Sequence, residues 1–485
     1  MSRAGAAHTD SGDRVAVVVD VIVVGMGAAG CATAVAAHDA GADVLILEKS
    51  GADEAGGNSR VSGGAWFGHD DPEGIATYLR ALCGDRLLPE AIVETWAHGT
   101  REISDWMSSL GLTVVPLRHF PVEYPELPGS DAYDHLRCVD GAMGDFRLYR
   151  ALQQVVGERD ITVRYDCAAT GLLTDPVDGR VTGVVTADGE RVHARGGVVL
   201  TTGGFEGDAE LVREHLGLEQ PPLWGSAAAT GDGLRMATSV GADLWHMDNM
   251  MAVNGIPRPD SRHGVFAMPI HRRGYLWVDD DGRRFVDECV PTGHGQALID
   301  GEYRLHPHRP MHVVFDERTR VAGPIGAVPE LLPVGWSLLV DGYRWSADNS
   351  AEIDAGWIHR ADTLEELAAL TGVPAPALVD SVTEYNRACE VGHDGRFGRA
   401  PETLVPVSEP PFYAYRSGPM LGWTSGGPRR DEHSRVVRPS GEVIEGLYAA
   451  GSVSSTYSWA KDGGFHIADA LVFGRIAGEH AASQG

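Results

Sequence analysis

The chain predicts an α/β fold in which a nucleotide-binding domain opens at the N-terminus, is interrupted by an α+β segment, and is closed by the C-terminus. Three observations predict it. A β-branched run, Val19–Val24, enters the glycine turn Gly25-Met-Gly-Ala-Ala-Gly30 and then an alanine-rich stretch, Cys31–Ala40, that favours helix. A second apolar run, Val44–Leu47, ends at Glu48 and completes a β-α-β unit. The same strand-to-glycine character returns near the C-terminus, at Gly446-Leu-Tyr-Ala-Ala-Gly451 and in an amphipathic helix over Gly463–Ala482, with Ile467, Ala470, Leu471 and Gly474 on one side.

In chain order, residues 1–15 are small and polar and read as a flexible tail. Residues 16–250 carry the first part of the nucleotide domain. Within it, strand-like runs recur at Ile161–Tyr165, Val181–Thr186 and Gly197–Leu200, with Asp188-Gly189 as a hairpin signal between the last two. The last run enters Thr201-Thr-Gly-Gly-Phe205. Residues 251–421 form the interrupting domain, where His, Pro and Arg become frequent and helices are expected over Thr363–Leu370 and Ala377–Cys389. Residues 422–485 return to the first domain.

Composition narrows the function classes. The 485 residues are 43% hydrophobic, enough for a large core. There are 62 glycines, close to twice the roughly 7% of an average protein, so many backbone positions need left-handed dihedrals or close approach. Against 68 Asp and Glu stand 40 Lys and Arg, of which only Lys49 and Lys461 are lysines, and the net charge of −28 argues against nucleic acid as a partner. The six cysteines include no CxxC pair, which suggests neither a zinc site nor a disulfide framework and suits a reducing cytoplasm. No apolar signal-peptide region appears, and no stretch approaches the roughly 20 apolar residues of a membrane span.

The chemistry concentrates at the glycines. Gly25-x-Gly27-x-x-Gly30 comes after a strand and opens a helix, the context in which a helix N-terminus receives a pyrophosphate, and Glu48 stands 23 residues after Gly25, placed to accept a ribose hydroxyl. That fingerprint does not separate NAD from FAD. The next glycine clusters favour FAD, because Gly56-Gly-Asn-Ser59 and Ser62-Gly-Gly64 suit close passage of a ribityl-phosphate chain. Thr202-Gly203-Gly204 and Ala450-Gly451-Ser452 offer further backbone, and the helix after Gly463-Gly464 would aim its positive end at a reduced flavin ring.

The motifs GMGAAG, ILEK, GGNSRVSGG, VVLTTGGF, TGDGLRMATSVGADL, GRRFVDE and GLYAAG…DGGFHIADALVFGRIAG occur in that order from about residue 20 to 480. As a set they resemble the FAD-dependent fumarate reductase and 3-ketosteroid dehydrogenase superfamily. The resemblance implies a Rossmann-like FAD-binding domain interrupted by an α+β capping domain, with substrate held between them. It places Gly25, Gly27, Ala29 and Gly30 at the pyrophosphate, and Glu48 at the ribose with Lys49 beside it. Asn58, Ser59, Ser62, Gly63 and Gly64 would line the ribityl and flavin region. Ala168, Thr202, Gly203, Gly204 and Asp232 would be further FAD contacts. Gly451, Ser452, Gly464, His466 and Ile467 would approach the flavin from the C-terminal side, although His466 stands where many relatives have Asn.

The branch is set by departures from pattern. Fumarate reductases carry a proton-delivering arginine after the GRRFVNE-like motif, where this chain reads Cys289-Val-Pro-Thr-Gly-His294. A clamping arginine before the final glycine pair is replaced by Asp462, and a histidine before Thr-Ser-Gly-Gly427 by Trp423. Pro291 resembles the ketosteroid dehydrogenase branch, but the tyrosine that serves there as base is Thr292, and another tyrosine is replaced by Lys461. The resemblance therefore implies FAD-dependent desaturation next to a ketone in a cyclic or polycyclic, steroid-like substrate. A base takes one proton and a hydride leaves the neighbouring carbon. Lys461 is a candidate base or cationic donor to the enolate oxygen, and its alternative is a structural pair with Asp462. His294 and Tyr457 are the other candidates. Trp423 and Trp459 are expected as apolar walls of the substrate site, or as core.

No metal is expected: the His306-Pro-His308 and His312 group reads as loop, and Asp279-Asp-Asp-Gly282 as a β-turn. Without a second strand-associated GxGxxG for a nicotinamide, electrons are expected to pass to oxygen, a quinone or a carrier protein. The alternatives are reduction of an activated alkene by the reduced flavin, and a flavin-binding protein without catalysis.

Overall fold

The computed structural model describes residues 17–86, 88–117, 120–299, 302–307, 309–326, 343–456, 460 and 463–485. The tail expected over residues 1–15 lies outside them.

The run VVVDVIVV forms the strand Val17–Val24 inside the larger sheet. It pairs in parallel with Val44–Leu47 on one side and with Arg191–Leu200 on the other. Thr162–Arg164 extends the sheet beyond Val44–Leu47, and Val443–Ala449 joins it in parallel beside Arg191–Leu200. The C-terminal part of the chain thus supplies a strand to the sheet that the N-terminus opened. Strand side chains alternate between faces, and here both faces are covered. Val21, Val23, Val44 and Ile46 join the helical core, while Ile22, Val24, Leu45 and Leu47 join a second core with Val184, Val198 and Leu447. That burial explains the unbroken apolar run. Its one interruption, Asp20, accepts from the Asp43 backbone N–H at 2.9 Å and from Arg195 at 2.7 Å, which holds its carboxyl below the usual range.

The first helix, Ala28–Asp39, begins three residues before the expected Cys31, so Gly30 lies inside it. It crosses the last helix, Phe465–Ala482, at backbone contact: a Cβ at Gly474 would sit 2.6 Å from the Ala29 carbonyl oxygen, and one at Gly478 would strike that of Thr33. The last helix is not amphipathic as expected. The first helix, the sheet and the Glu90–Ser109 helix bury it on most sides.

The second sheet runs in the order Gly264–Phe266, Met250–Pro257, Phe412–Thr424, Met311–Asp316, Tyr275–Val278. The helices Leu364–Thr371 and Ala375–Val391 cover one face, packing Leu367, Leu378 and Tyr385 on Leu276, Val314 and Ala414. The GRRFVDE motif works here in packing. Arg284 and Arg399 both donate to the buried Glu288 carboxylate, at 2.8 and 3.1 Å, and Arg284 also donates to Asp394 at 3.0 Å. The Asp279–Gly282 turn closes with Gly282 N–H donating to the Asp279 carbonyl at 2.9 Å.

The helix crossing yields a first prediction. Gly478→Ala should lower stability by about 1–3 kcal/mol through overpacking. Gly157→Ala, in the Arg147–Glu158 helix where a Cβ meets nothing within 4 Å, should raise it by up to about 1 kcal/mol through helix propensity. Denaturant titration of both variants checks this, and coincident midpoints would contradict the crossing.

Candidate active site

One cavity of about 420 Å³ runs from the ends of the parallel strands to the second sheet. At its first end Gly25, at φ +98°, turns the chain from strand to helix, and its Cβ would lie 2.7 Å from the Thr201 carbonyl oxygen. Gly27 is the helix N-cap and supplies no side-chain cap, while the Ser59 hydroxyl accepts the Ala28 N–H at 2.9 Å. The helix N-terminus therefore opens on the cavity with Gly25, Gly27 and Ala29 in its wall.

Glu48 directly follows the Val44–Leu47 strand and is 6% exposed. Its two oxygens accept the Met26 N–H at 2.9 Å and the Ser50 N–H at 2.8 Å, so the carboxylate ties the glycine turn to the strand end. Beside it Lys49 donates to Asp232 and to the Thr230 hydroxyl, each at 2.7 Å. Ser62, Gly63, Gly64, Ala168, Thr202 and Gly203 continue the wall, and Gly451, Ser452, Gly464, His466 and Ile467 face it from the C-terminal side.

Asn58 also lines the cavity, with its amide committed to the protein. Nδ2 donates to Glu206 at 2.7 Å and to the Gly422 carbonyl at 3.1 Å, and Oδ1 accepts the Ser226 N–H at 2.6 Å. Glu206 in turn accepts the Thr424 N–H and hydroxyl, both at 3.0 Å. Full burial pushes its carboxyl up to about 7, against the pull of those hydrogen bonds.

Gly30 and Gly204 do not line the cavity. A Cβ on Gly30 would strike the Gly25 carbonyl, and one on Gly204 the Thr424 hydroxyl, so both positions require the absence of a side chain.

The far end is apolar, built from Trp224, Trp423, Met251, Val253, Phe120 and Met143. His294 lies there, its ring edge-on to Trp423 with centroids 5.7 Å apart, and Trp423 meets His466 in the same manner at 5.1 Å. His294 Nδ1 is 2.8 Å from a Glu123 oxygen. No arginine lines the cavity among the described residues, and its lysine, Lys49, is paired with Asp232. Lys461, Tyr457 and Trp459 lie outside the described residues. Sequence reasoning missed Glu123, which sits in an irregular Pro-Val-Glu-Tyr-Pro stretch with no periodic signal, and Glu206, signalled only by its place after the Thr202–Gly204 turn.

Residues 20–465 match the FAD binding domain family. The chain belongs to this family. Among its relatives, the vinyl phenol reductase of Lactiplantibacillus plantarum is 28% identical over 96% of both chains. The fumarate reductase (cytochrome) of Shewanella frigidimarina is 27% identical over 96% of this chain and 77% of the relative. The crystal structure of 3-ketosteroid delta1-dehydrogenase from Sterolibacterium denitrificans, in complex with 1,4-androstadiene-3,17-dione, superimposes with a TM-score of 0.80 at 25% identity, covering 96% of this chain and 100% of that one. The chain is an FAD-dependent oxidoreductase of the kind that acts on carbon–carbon bonds.

The residues present fit the family's cofactor. The helix N-terminus, where the N-cap Gly27 offers no side chain, suits a pyrophosphate, and the Thr202 hydroxyl, buried in the cavity wall, has no hydrogen-bond partner among the described residues. No described group of three or more His, Cys, Asp or Glu side chains could hold a metal ion. No described helix is long and apolar enough to cross a membrane.

The two buried carboxylates can each be tested. Glu48→Ala leaves two backbone N–H groups without their acceptor, at about 1–3 kcal/mol each. It should release FAD on dialysis, read as a fall in the flavin-to-protein absorbance ratio, and an unchanged ratio would remove Glu48 from cofactor retention. Glu206 has its folded value raised above the ordinary 4.5 to about 7. Its contribution to stability is therefore complete below pH 4.5 and lost as pH rises to about 7, by up to about 3 kcal/mol. Glu206→Gln should flatten that part of the stability curve, and a wild-type-to-variant difference constant from pH 4.5 to 8 would contradict it.

Proposed function

We propose that the enzyme desaturates a C–C bond next to a carbonyl in an uncharged, ring-bearing substrate, with His294 taking the proton. The observation that carries this reading is the far end of the cavity: the His294 imidazole set among Trp423, Trp224 and Met251, with no arginine on the described walls. Among the described residues a dicarboxylate bound there would find no arginine or lysine to replace its hydration, which disfavours it. A flat apolar ring would bury area against both indoles.

The chemistry divides between cofactor and protein. FAD, when bound, takes the hydride from one carbon. The protein's part is the proton on the neighbouring carbon, which the carbonyl acidifies. We assign its removal to His294 Nε2, because Nδ1 is held by Glu123. Gly25, Gly27, Ala29, Glu48, Thr202, Gly203 and the Gly451–Ser452 turn would hold the cofactor, and Asn58 would shape the passage between it and the substrate. In this reading residues 16–250 and 422–485 form the FAD-binding domain and residues 251–421 cap it over the substrate. Lys461 and Tyr457 remain candidates for the donor to the carbonyl oxygen. Electrons would leave to oxygen, a quinone or a carrier protein.

The reverse sense, reduction of an activated alkene, has its own support in the vinyl phenol reductase that is similar over 96% of both chains. Anaerobic stopped-flow mixing separates the two. Bleaching of the oxidised flavin band by saturated 3-ketosteroids or cyclohexanones supports desaturation, and reoxidation of dithionite-reduced enzyme only by vinyl phenols or enones supports reduction. Fumarate should do neither. In either sense His294→Gln should slow the reaction about 100-fold with FAD content retained, and a wild-type rate in that variant would remove His294 from proton transfer.

A further inference from the structure

We propose that Glu123 is the positioning residue of this site: it fixes the tautomer and direction of the His294 imidazole and registers that ring to the start of the last helix. The inference rests on the proton role assigned to His294 above. A carboxylate only accepts hydrogen bonds, so the 2.8 Å contact places a hydrogen on His294 Nδ1, and in the neutral ring, the form that can take a proton, the lone pair is then on Nε2. The second Glu123 oxygen accepts the Gly463 N–H at 2.9 Å. Gly463 immediately precedes Gly464, the N-cap of the Phe465–Ala482 helix, and both glycines line the same cavity as His294. One carboxylate thereby spans the proton-handling ring and the turn that approaches the cofactor side.

The surrounding chain is built to hold this geometry. His294 itself has φ +48°, a strained value for a non-glycine residue. Next to Glu123, the buried Tyr124 hydroxyl donates to the Gly293 carbonyl at 3.0 Å, so consecutive side chains grip consecutive residues of the His294 turn. A Cβ on Gly293 would collide with the Tyr124 hydroxyl, and one on Gly295 with the Ala252 carbonyl. The turn therefore cannot relax toward either side, and the strain at His294 is retained by its neighbours. Removing the Glu123 charge leaves the turn in place and frees only the ring.

The test uses FAD-loaded enzyme carrying ring-¹⁵N histidine, with Glu123→Gln, His294→Gln and the double variant. Gln keeps an oxygen for the Gly463 N–H, and flavin content reports whether the fold is kept. Should Glu123→Gln fail to load FAD, Glu123→Asp, one methylene short of the ring, replaces it with the same expectation. In the ¹⁵N spectrum the His294 resonance, assigned by its loss in His294→Gln, should show protonated Nδ1 and unprotonated Nε2, and Glu123→Gln should mix the tautomers. With the substrate that bleaches the flavin in the mixing experiment, kcat should fall 10- to 100-fold with KM within about twofold. The same change made in the His294→Gln background should cost nothing more. An unchanged tautomer, or a kcat loss that persists undiminished without His294, would overturn the positioning role. If His294→Gln itself kept full turnover, the proton assignment would fail instead, and the tautomer measurement would still decide whether Glu123 orients the ring.

Discussion

The backbone-to-backbone crossing of the first and last helices is the constraint on which the rest of the structure depends. Helices usually pack 8–10 Å apart, with side chains between them setting the distance. Here Gly474 and Gly478 present no side chain to Ala29 and Thr33, so the carbonyls of one helix lie against the Cα atoms of the other. The close approach brings Gly451 beside Ala29, where a Cβ would lie 3.0 Å from that of Ala29. It also sets the height of the Gly463–Gly464 turn, and through the Gly463 N–H the position of Glu123. Residues more than 300 positions apart in the chain line one cavity because two helices are allowed to touch.

A second tie joins the cavity to the inserted sheet. Asn58 belongs to the short helix Gly57–Val61 and Glu206 to the turn after the Arg191–Leu200 strand, while Gly422 and Thr424 belong to the Phe412–Thr424 strand of the second sheet. Five hydrogen bonds meet at this point: three from Asn58 and Thr424 to Glu206, one from Asn58 to Gly422, and one from the Phe205 N–H to the Thr424 hydroxyl at 2.7 Å. A carboxyl buried with three donors is held ionised by them and pushed toward neutrality by its burial, and burial wins. The junction between the two sheets is therefore sensitive to pH, and it sits beside Asn58 in the cavity wall.

The features legible in the sequence shared one property: the signal was local. Gly25, Gly27, Glu48, Gly64, Gly203 and Gly451 each stand at a strand end or turn that apolar runs and glycines mark without knowledge of the partner. The Phe412–Thr424 strand was not legible, because Gly418, Pro419 and Gly422 read as breakers. Its pairing with Met311–Asp316 ends at Ser417, so Pro419 lies where the strand has a single sheet partner and its missing N–H costs no ladder bond. Glu123 was illegible for the opposite reason. Nothing near it is periodic, and its meaning lies in a residue 171 positions away. Gly30 carries a second constraint beside the motif, since a Cβ there would strike the Gly25 carbonyl oxygen.

The distribution of charge then bears on which molecules the cavity admits. The chain is strongly acidic, and its cavity is polar at one end and apolar at the other. At the polar end Lys49 is neutralised by Asp232, which leaves the helix N-terminus as the feature that favours an anion there. At the apolar end the described titratable groups include His294, His466 and Glu123, and His294 is bonded to Glu123. An anionic substrate entering that end would meet indole, thioether and a carboxylate already present. The Coulomb cost rises as water is excluded, because the effective dielectric falls. A neutral ring meets no such cost, and whatever apolar surface it covers contributes about 25 cal/mol per Å² buried. On the reading proposed above, this end of the cavity favours a neutral ring over an anion before any proton or hydride moves.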